Sequence, residues 1–161
     1  MPLLKYKELG VDYKFPELRQ GETLPEVMKH LSQDKVNLYA GAVGDFNPIH
    51  IDESFSKQTT FGGKIAHGML ILAYISEMMA LAFGESWFST GKLAVRFKTP
   101  ARFKDTIIAA GRVSAVTAES SLNFSCDISC RNQAQETIAA GKTLVRLPLN
   151  NNRRQQRDVV R

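Results

Sequence analysis

Apolar and polar positions change rhythm along the chain, and the changes divide it into elements. In "SLNFSCDISCRN" Leu122, Phe124, Cys126, Ile128 and Cys130 alternate with Asn123, Ser125, Asp127, Ser129 and Arg131, which predicts a strand with one buried face. "GKLAVRFKTP" places Leu93, Val95 and Phe97 on one side and ends at Pro100. "DTIIAAGRVSAVTA" and "TIAAGKTLVRLP" complete four strands over residues 92–147, the last closed by Pro148. Short turn signals between them predict an antiparallel meander. Upstream the period is helical. Behind the capping residue Ser32, the spacing of Val36, Tyr39, Ala40 and Val43 predicts a short helix ending at Gly44. "HGMLILAYISEMMALAFGE", His67 to Glu85, is apolar on nearly every face apart from Ser76 and Glu77, and Gly84 stops it. Such a helix either spans a membrane or is wrapped by protein, and its length and Glu77 favour wrapping. "ETLPEVMKHLS", Glu22 to Ser32, predicts a first strand with Pro25 near its start. Asp52–Phe55 predicts a helical turn and Phe61–Gly63 a loop. One antiparallel sheet curled around one helix satisfies this order, an α+β fold.

Composition narrows the class. A chain of 161 residues, 43% apolar and 23% charged, suits one domain with a real core. No linker divides it, so the expected domain is 1–148, opening on an arm at 1–20. No charge-free apolar run reaches the ~18–20 residues a membrane span needs. "MPLLKYKELGVDY" lacks the apolar stretch of a signal peptide, so a cytoplasmic protein is expected. The net charge of +5 is uneven: Arg153–Arg161 holds four Arg and one Asp, which leaves +2 for the rest. A body so weakly basic is not a nucleic-acid footprint, and the tail 149–161 is expected to be a solvated, disordered end.

Cys126 and Cys130 lie about 13 Å apart on a strand, too far for a disulfide, and are expected to be small core residues. No His or Cys spacing matches a zinc site, and no phosphate loop or nucleophile elbow is present.

Two short stretches could carry chemistry. "GDFNPIH", Gly44 to His50, bends at Asn47–Pro48 and can bring Asp45 near His50. A carboxylate and an imidazole that meet can share one water and move its proton. The same composition makes a good turn, and spacing alone leaves both roles open. In "IAHGM", Ile65 to Met69, the first N–H groups of the long helix have no intrahelical partner. Gly68 would let a carbonyl oxygen approach them, as an oxyanion hole requires; close helix packing is the simpler reason for the glycine. His67 reads as a first-turn surface residue with no catalytic role.

"YAGAVGDFNPIHIDESFSKQTTFGGKIAHGML", Tyr39 to Leu70, closely resembles the signature of the MaoC-like, (R)-specific enoyl-CoA hydratase family. "VRFKTPARFKDTI", Val95 to Ile107, resembles the family's later strand-turn segment. The resemblance implies a hot-dog fold and a homodimer or dimer of dimers. It implies that Asp45 and His50 activate the water added to a trans-2-enoyl thioester, and that the N–H of Gly68 stabilises the enolate oxygen. Asn47 matches a position associated with supporting the site and Ser76 a serine seen at this position in some members, and both are assigned to substrate binding. No metal or redox cofactor is implied: CoA enters as part of the substrate, an acyl-CoA or acyl-carrier-protein thioester. Lys98, Arg102 and Lys104 flank the later segment and are assigned to the CoA phosphates. Two other roles fit the same fold: thioester hydrolysis, and a non-catalytic acyl-thioester-binding subunit of a hetero-oligomer.

Overall fold

The structure, a computed structural model, describes residues 18–118 and 121–148. Most of the expected arm and the whole basic tail lie outside the described residues. The elements run β1 (Val27–His30), α1 (Gln33–Val43), α2 (Pro48–Ile51), α3 (Glu53–Lys57), α4 (Gly68–Phe83), α5 (Glu85–Thr90), β2 (Lys92–Phe97), β3 (Thr106–Ala118), β4 (Ser121–Arg131) and β5 (Thr137–Pro148).

The five strands form one antiparallel sheet in the order β1-β3-β4-β5-β2. The expected meander holds for β3, β4 and β5 but fails for β2. That strand pairs with β5 at the far edge, with Val95 opposite Gly141. Turn signals say where a strand stops, not which neighbour it takes. Residues 98–105 instead cross the end of the sheet. Lys98 donates its N–H to Ile138, Ala101 accepts from Ala66, and Lys104 donates to Leu31. The first strand is also shorter than expected. Pro25 has no N–H to offer, so regular pairing begins at Val27 and Thr23 keeps only an isolated bridge to Arg112.

Helix α4 lies against the sheet. Ile71, Ile75, Met78, Met79 and Phe83 are 0–1% exposed and meet Val113, Cys126, Cys130 and Val145 from the strands in one cluster. Each such side chain contributes about 1.5–3 kcal/mol through burial. The expectation of a fully wrapped helix is corrected on one side. Met69, Ala73, Glu77 and Leu81, four residues apart and so on one stripe, are exposed in the single chain. Cys126 and Cys130 are free and buried, and burial pushes their thiols up to about 11 and about 12. Among the described residues no helix is long and apolar enough to cross a membrane.

Candidate active site

The loop after α1 is built from its own backbone chemistry. Ser32 caps α1 by accepting from the N–H of Lys35, and Gly44 ends it in the left-handed region, φ 74°, where glycine is unstrained. Asp45 follows, and its carboxylate accepts from the N–H of Asn47 at 3.2 Å. Asn47 then caps α2 by accepting from Ile49 at 3.1 Å, with Pro48 in the first helical position, where its missing N–H costs nothing. The bend expected from Asn-Pro is therefore a capped helical turn, and His50 sits on it.

His50 is 6% exposed. Its Nδ1 lies 2.8 Å from the carbonyl oxygen of Ile65, which accepts only, so Nδ1 carries the hydrogen and Nε2 keeps its lone pair. Ile65 in turn donates its N–H to Ile49. The two stretches singled out by sequence are thus bonded to each other in both directions. Burial lowers the His50 pKa below its ordinary value and the neighbouring His67 lowers it further, while the Ile65 bond and Asp45 oppose them.

One carboxylate oxygen of Asp45, one nitrogen of His50 and one of His67 lie within 4.8 Å of one another. That spacing suits a single water making two hydrogen bonds of about 2.8 Å. It is less suited to a metal ion. The rings of His50 and His67 lie face to face, centroids 3.7 Å apart and planes inclined by 31°. Lone pairs in such planes run side by side rather than converging on an ion about 2.1 Å away.

Helix α4 starts beside this cluster. His67 is its N-cap, and among the described residues the N–H groups of Gly68 and Met69 donate to nothing. They present the positive end of a 16-residue helix. Gly68 also has a packing reason to lack a side chain: a Cβ there would lie 2.9 Å from Cζ of Phe97.

A family model described as a MaoC like domain matches residues 15–123. The chain belongs to the MaoC-like family. This MaoC-like chain is 30% identical over 105 residues to an (R)-specific enoyl-CoA hydratase of Rhodospirillum rubrum, covering 65% of this chain and 72% of that protein. It is 30% identical over 145 residues to a 3-hydroxybutyryl-CoA dehydratase of Methylorubrum extorquens, covering 88% and 87%. Its structure is similar to the unliganded R-hydratase of Pseudomonas aeruginosa, with TM-score 0.70 and 27% identity over 83% of this chain and 84% of that one. Its curved sheet and helix are the hot-dog fold.

The MaoC-like signature brings Asp45, Asn47, His50 and Gly68 into one neighbourhood. Ser76 stands apart, two turns along α4, where its hydroxyl accepts from the indole N–H of Trp87 at 2.8 Å. Lys98, Arg102 and Lys104 are exposed but spaced along the crossing segment. The Arg102 guanidinium donates to the carbonyl of Phe61 at 2.7 Å, which fixes the loop before Ile65.

His67 is the residue that sequence reasoning missed. Far from the surface, it is 2% exposed, and its Nε2 lies 2.9 Å from the carbonyl oxygen of Asp45. The signal was its setting: an imidazole between Ala66 and Leu70, at the head of an apolar helix, is buried with that helix.

Proposed function

We propose that this chain adds water reversibly to a trans-2-enoyl-CoA thioester, giving the (R)-3-hydroxyacyl-CoA. The observation that carries the reading is that a carboxylate oxygen of Asp45 and a ring nitrogen of His50 lie within 4.8 Å, close enough to share one water, beside the free N–H groups that open α4. Asp45 accepts one hydrogen bond from the water and orients it. Nε2 of His50 takes the other proton as the water oxygen bonds to C3. The C2–C3 π electrons move onto the thioester oxygen, where the N–H of Gly68 opposes the growing charge, a contribution of about 3–4 kcal/mol. The imidazolium then returns its proton to C2 on the same face, so the net change is syn addition of one water. No step calls for a metal or redox cofactor. The names of the relatives, hydratase and dehydratase, support the reaction class in both directions.

The acting unit is proposed to be a homodimer. β2 is an open edge strand, and Phe97 on it and Leu144 beside it on β5 are 49% and 51% exposed. A solution mass near twice 17.9 kDa is expected.

The direct test follows the conjugated enoyl absorbance with crotonyl-CoA and longer enoyl-CoAs. Wild type is expected to consume it. Asp45→Asn and His50→Gln are expected to lose about 10²–10⁴-fold in kcat. A wild type inactive at every chain length, on branched thioesters and on carrier-protein thioesters would overturn the reaction. Equal activity in all three proteins would overturn the site.

A further inference from the structure

His67 has no part in the reaction as written, yet it is more deeply buried than either residue that holds the water. Two features of it are unexplained by packing. Its Nε2 faces the Asp45 carbonyl oxygen at 2.9 Å, so Nε2 bears the hydrogen and donates. Its Nδ1 is buried with no hydrogen-bond partner among the described residues. A buried polar atom left unpaired is costly and calls for a reason. A phenyl or leucyl side chain would fill the same space without that cost.

The surroundings supply the reason. Asp45 sits just past the end of α1, and its carboxylate is 52% exposed. Its carboxylate bond to Asn47 is local, two residues along the chain. The bond from His67 is the one that ties the Asp45 backbone to the start of α4. The ring of His67 also backs the ring of His50 at 3.7 Å. The charged and titratable groups that face His50 are Asp45 from the same loop and His67 from the head of α4, while Tyr39 of α1 lies against His67, ring centroids 5.0 Å apart.

We propose that His67 is a positioning residue: its Nε2–H holds the Asp45 backbone in place, and its ring behind His50 keeps that imidazole uncharged with Nε2 bare toward the water. The first effect sets the acid–imidazole separation. The second arises because two imidazoles in contact do not both accept a proton, as like charges so close repel strongly. The lowered pKa of His50 agrees with this.

The kinetic consequence rests on the hydratase reading; the proton placement does not. The test therefore begins with imidazole ¹H–¹⁵N spectra of the wild-type protein. The chain has three histidines, so few imidazole signals have to be assigned. His67 is expected as the Nε2–H tautomer and His50 as the Nδ1–H tautomer, with His50 titrating below the ordinary histidine value. His67→Phe keeps a ring but no N–H. It is expected to lower kcat about a hundredfold with KM nearly unchanged, as for a misplaced catalytic group. His67→Gln keeps an N–H within reach of the Asp45 carbonyl but no ring, and is expected to retain more kcat than His67→Phe. In both variants the His50 titration is expected to move up toward the ordinary histidine value, and the acid limb of kcat/KM with it. A hydrogen found on Nδ1 of wild-type His67 would overturn the proposal. So would kcat and a His50 titration unchanged in the variants. If His67→Phe does not fold, the wild-type spectra and His67→Gln decide. A wild type that hydrates nothing overturns the function reading alone, and the spectra still decide the role of His67.

Discussion

The Nδ1–H of His50 donates to the carbonyl oxygen of Ile65 at 2.8 Å. Fifteen residues separate them in sequence, and Ile65 stands three residues before α4. The direction of the His50 ring is therefore set by the same short stretch that presents the helix N–H groups. The imidazole and the helix N–H groups are held in one frame, so a displacement of one carries the other.

The lowered pKa of His50 has two consequences with the same sign. A base must be neutral, so the rate is expected to be full at pH 7 and to fall only below 6.5, as the pH passes the depressed folded value. Stability follows. Below 6.5 the unfolded chain binds a proton that folded His50 resists, so the contribution of this group is present above 6.5 and is lost as pH falls from there through the folded value. Urea titrations between pH 5 and 7.5, on wild type and His50→Gln, check this: the pH slope is expected to be shallower in the variant.

Gly68→Ala separates the two reasons for the glycine. The added methyl would meet the tip of the Phe97 ring at 2.9 Å. That ring is half exposed and at the end of an edge strand, so it can swing away, and the expected cost is below about 1.5 kcal/mol. The methyl remains beside the N–H groups, so kcat is expected to fall by more than stability explains. Pairing it with Phe97→Ala is expected to restore the melting temperature and not the rate. Full recovery of both would make Gly68 a packing residue only.

Ser76→Ala removes the acceptor of the Trp87 indole. Trp87 is 8% exposed and is the chain's single tryptophan, so its fluorescence reports the site directly. A stability loss of about 1–2 kcal/mol and a change in emission are expected. Hydration of crotonyl-CoA is expected to change little, since the serine lies two turns from the dyad. A large loss of kcat at unchanged stability would return Ser76 to the substrate.

Gly141 lies opposite Val95 in the pairing of β2 with β5, and a Cβ there would stand 2.0 Å from the carbonyl oxygen of Ala94. Backbone cannot swing aside as a ring tip can. Gly141→Ala is expected to cost about 3 kcal/mol or more by separating the edge strand. Thermal unfolding measures it, and a loss under about 1 kcal/mol would contradict the close approach.

Much of this was legible in one sequence. The alternation through Leu122–Cys130 marked a buried strand face because side chains on a strand change sides at every residue. The caps at Ser32 and Gly44 marked α1 because the backbone chemistry is local. Asp45 and His50 were visible as a pair for the same reason: five residues and a proline bend bring them close. What escaped was non-local. Nothing within β2 says that its partner is β5, since pairing is decided by where the crossing segment can reach. The exposed stripe of α4 could not be told from its buried faces, since Met69, Ala73 and Leu81 are apolar and Glu77 alone marks it. The helix position of His67 predicts a surface residue, whereas its surroundings are Asp45 and His50. The position of Ser76 alone likewise says nothing of its bond to Trp87, which appears only once α5 folds back on α4.

The segment from Lys98 to Asp105 binds Ile138 at one end, Ala66 in the middle and Leu31 at the other. It ties the last strand, the loop beneath His50 and the first strand into a single knot of contacts distant in sequence. Closing such contacts is slow, because chain entropy is lost before they are formed. The neighbourhood of Asp45 and His50 is thus expected to be the last part the polypeptide finishes. In a refolding experiment, far-ultraviolet dichroism should recover first. Exchange protection at the amides of Leu31 and Ala66, and the activity itself, should return together and later.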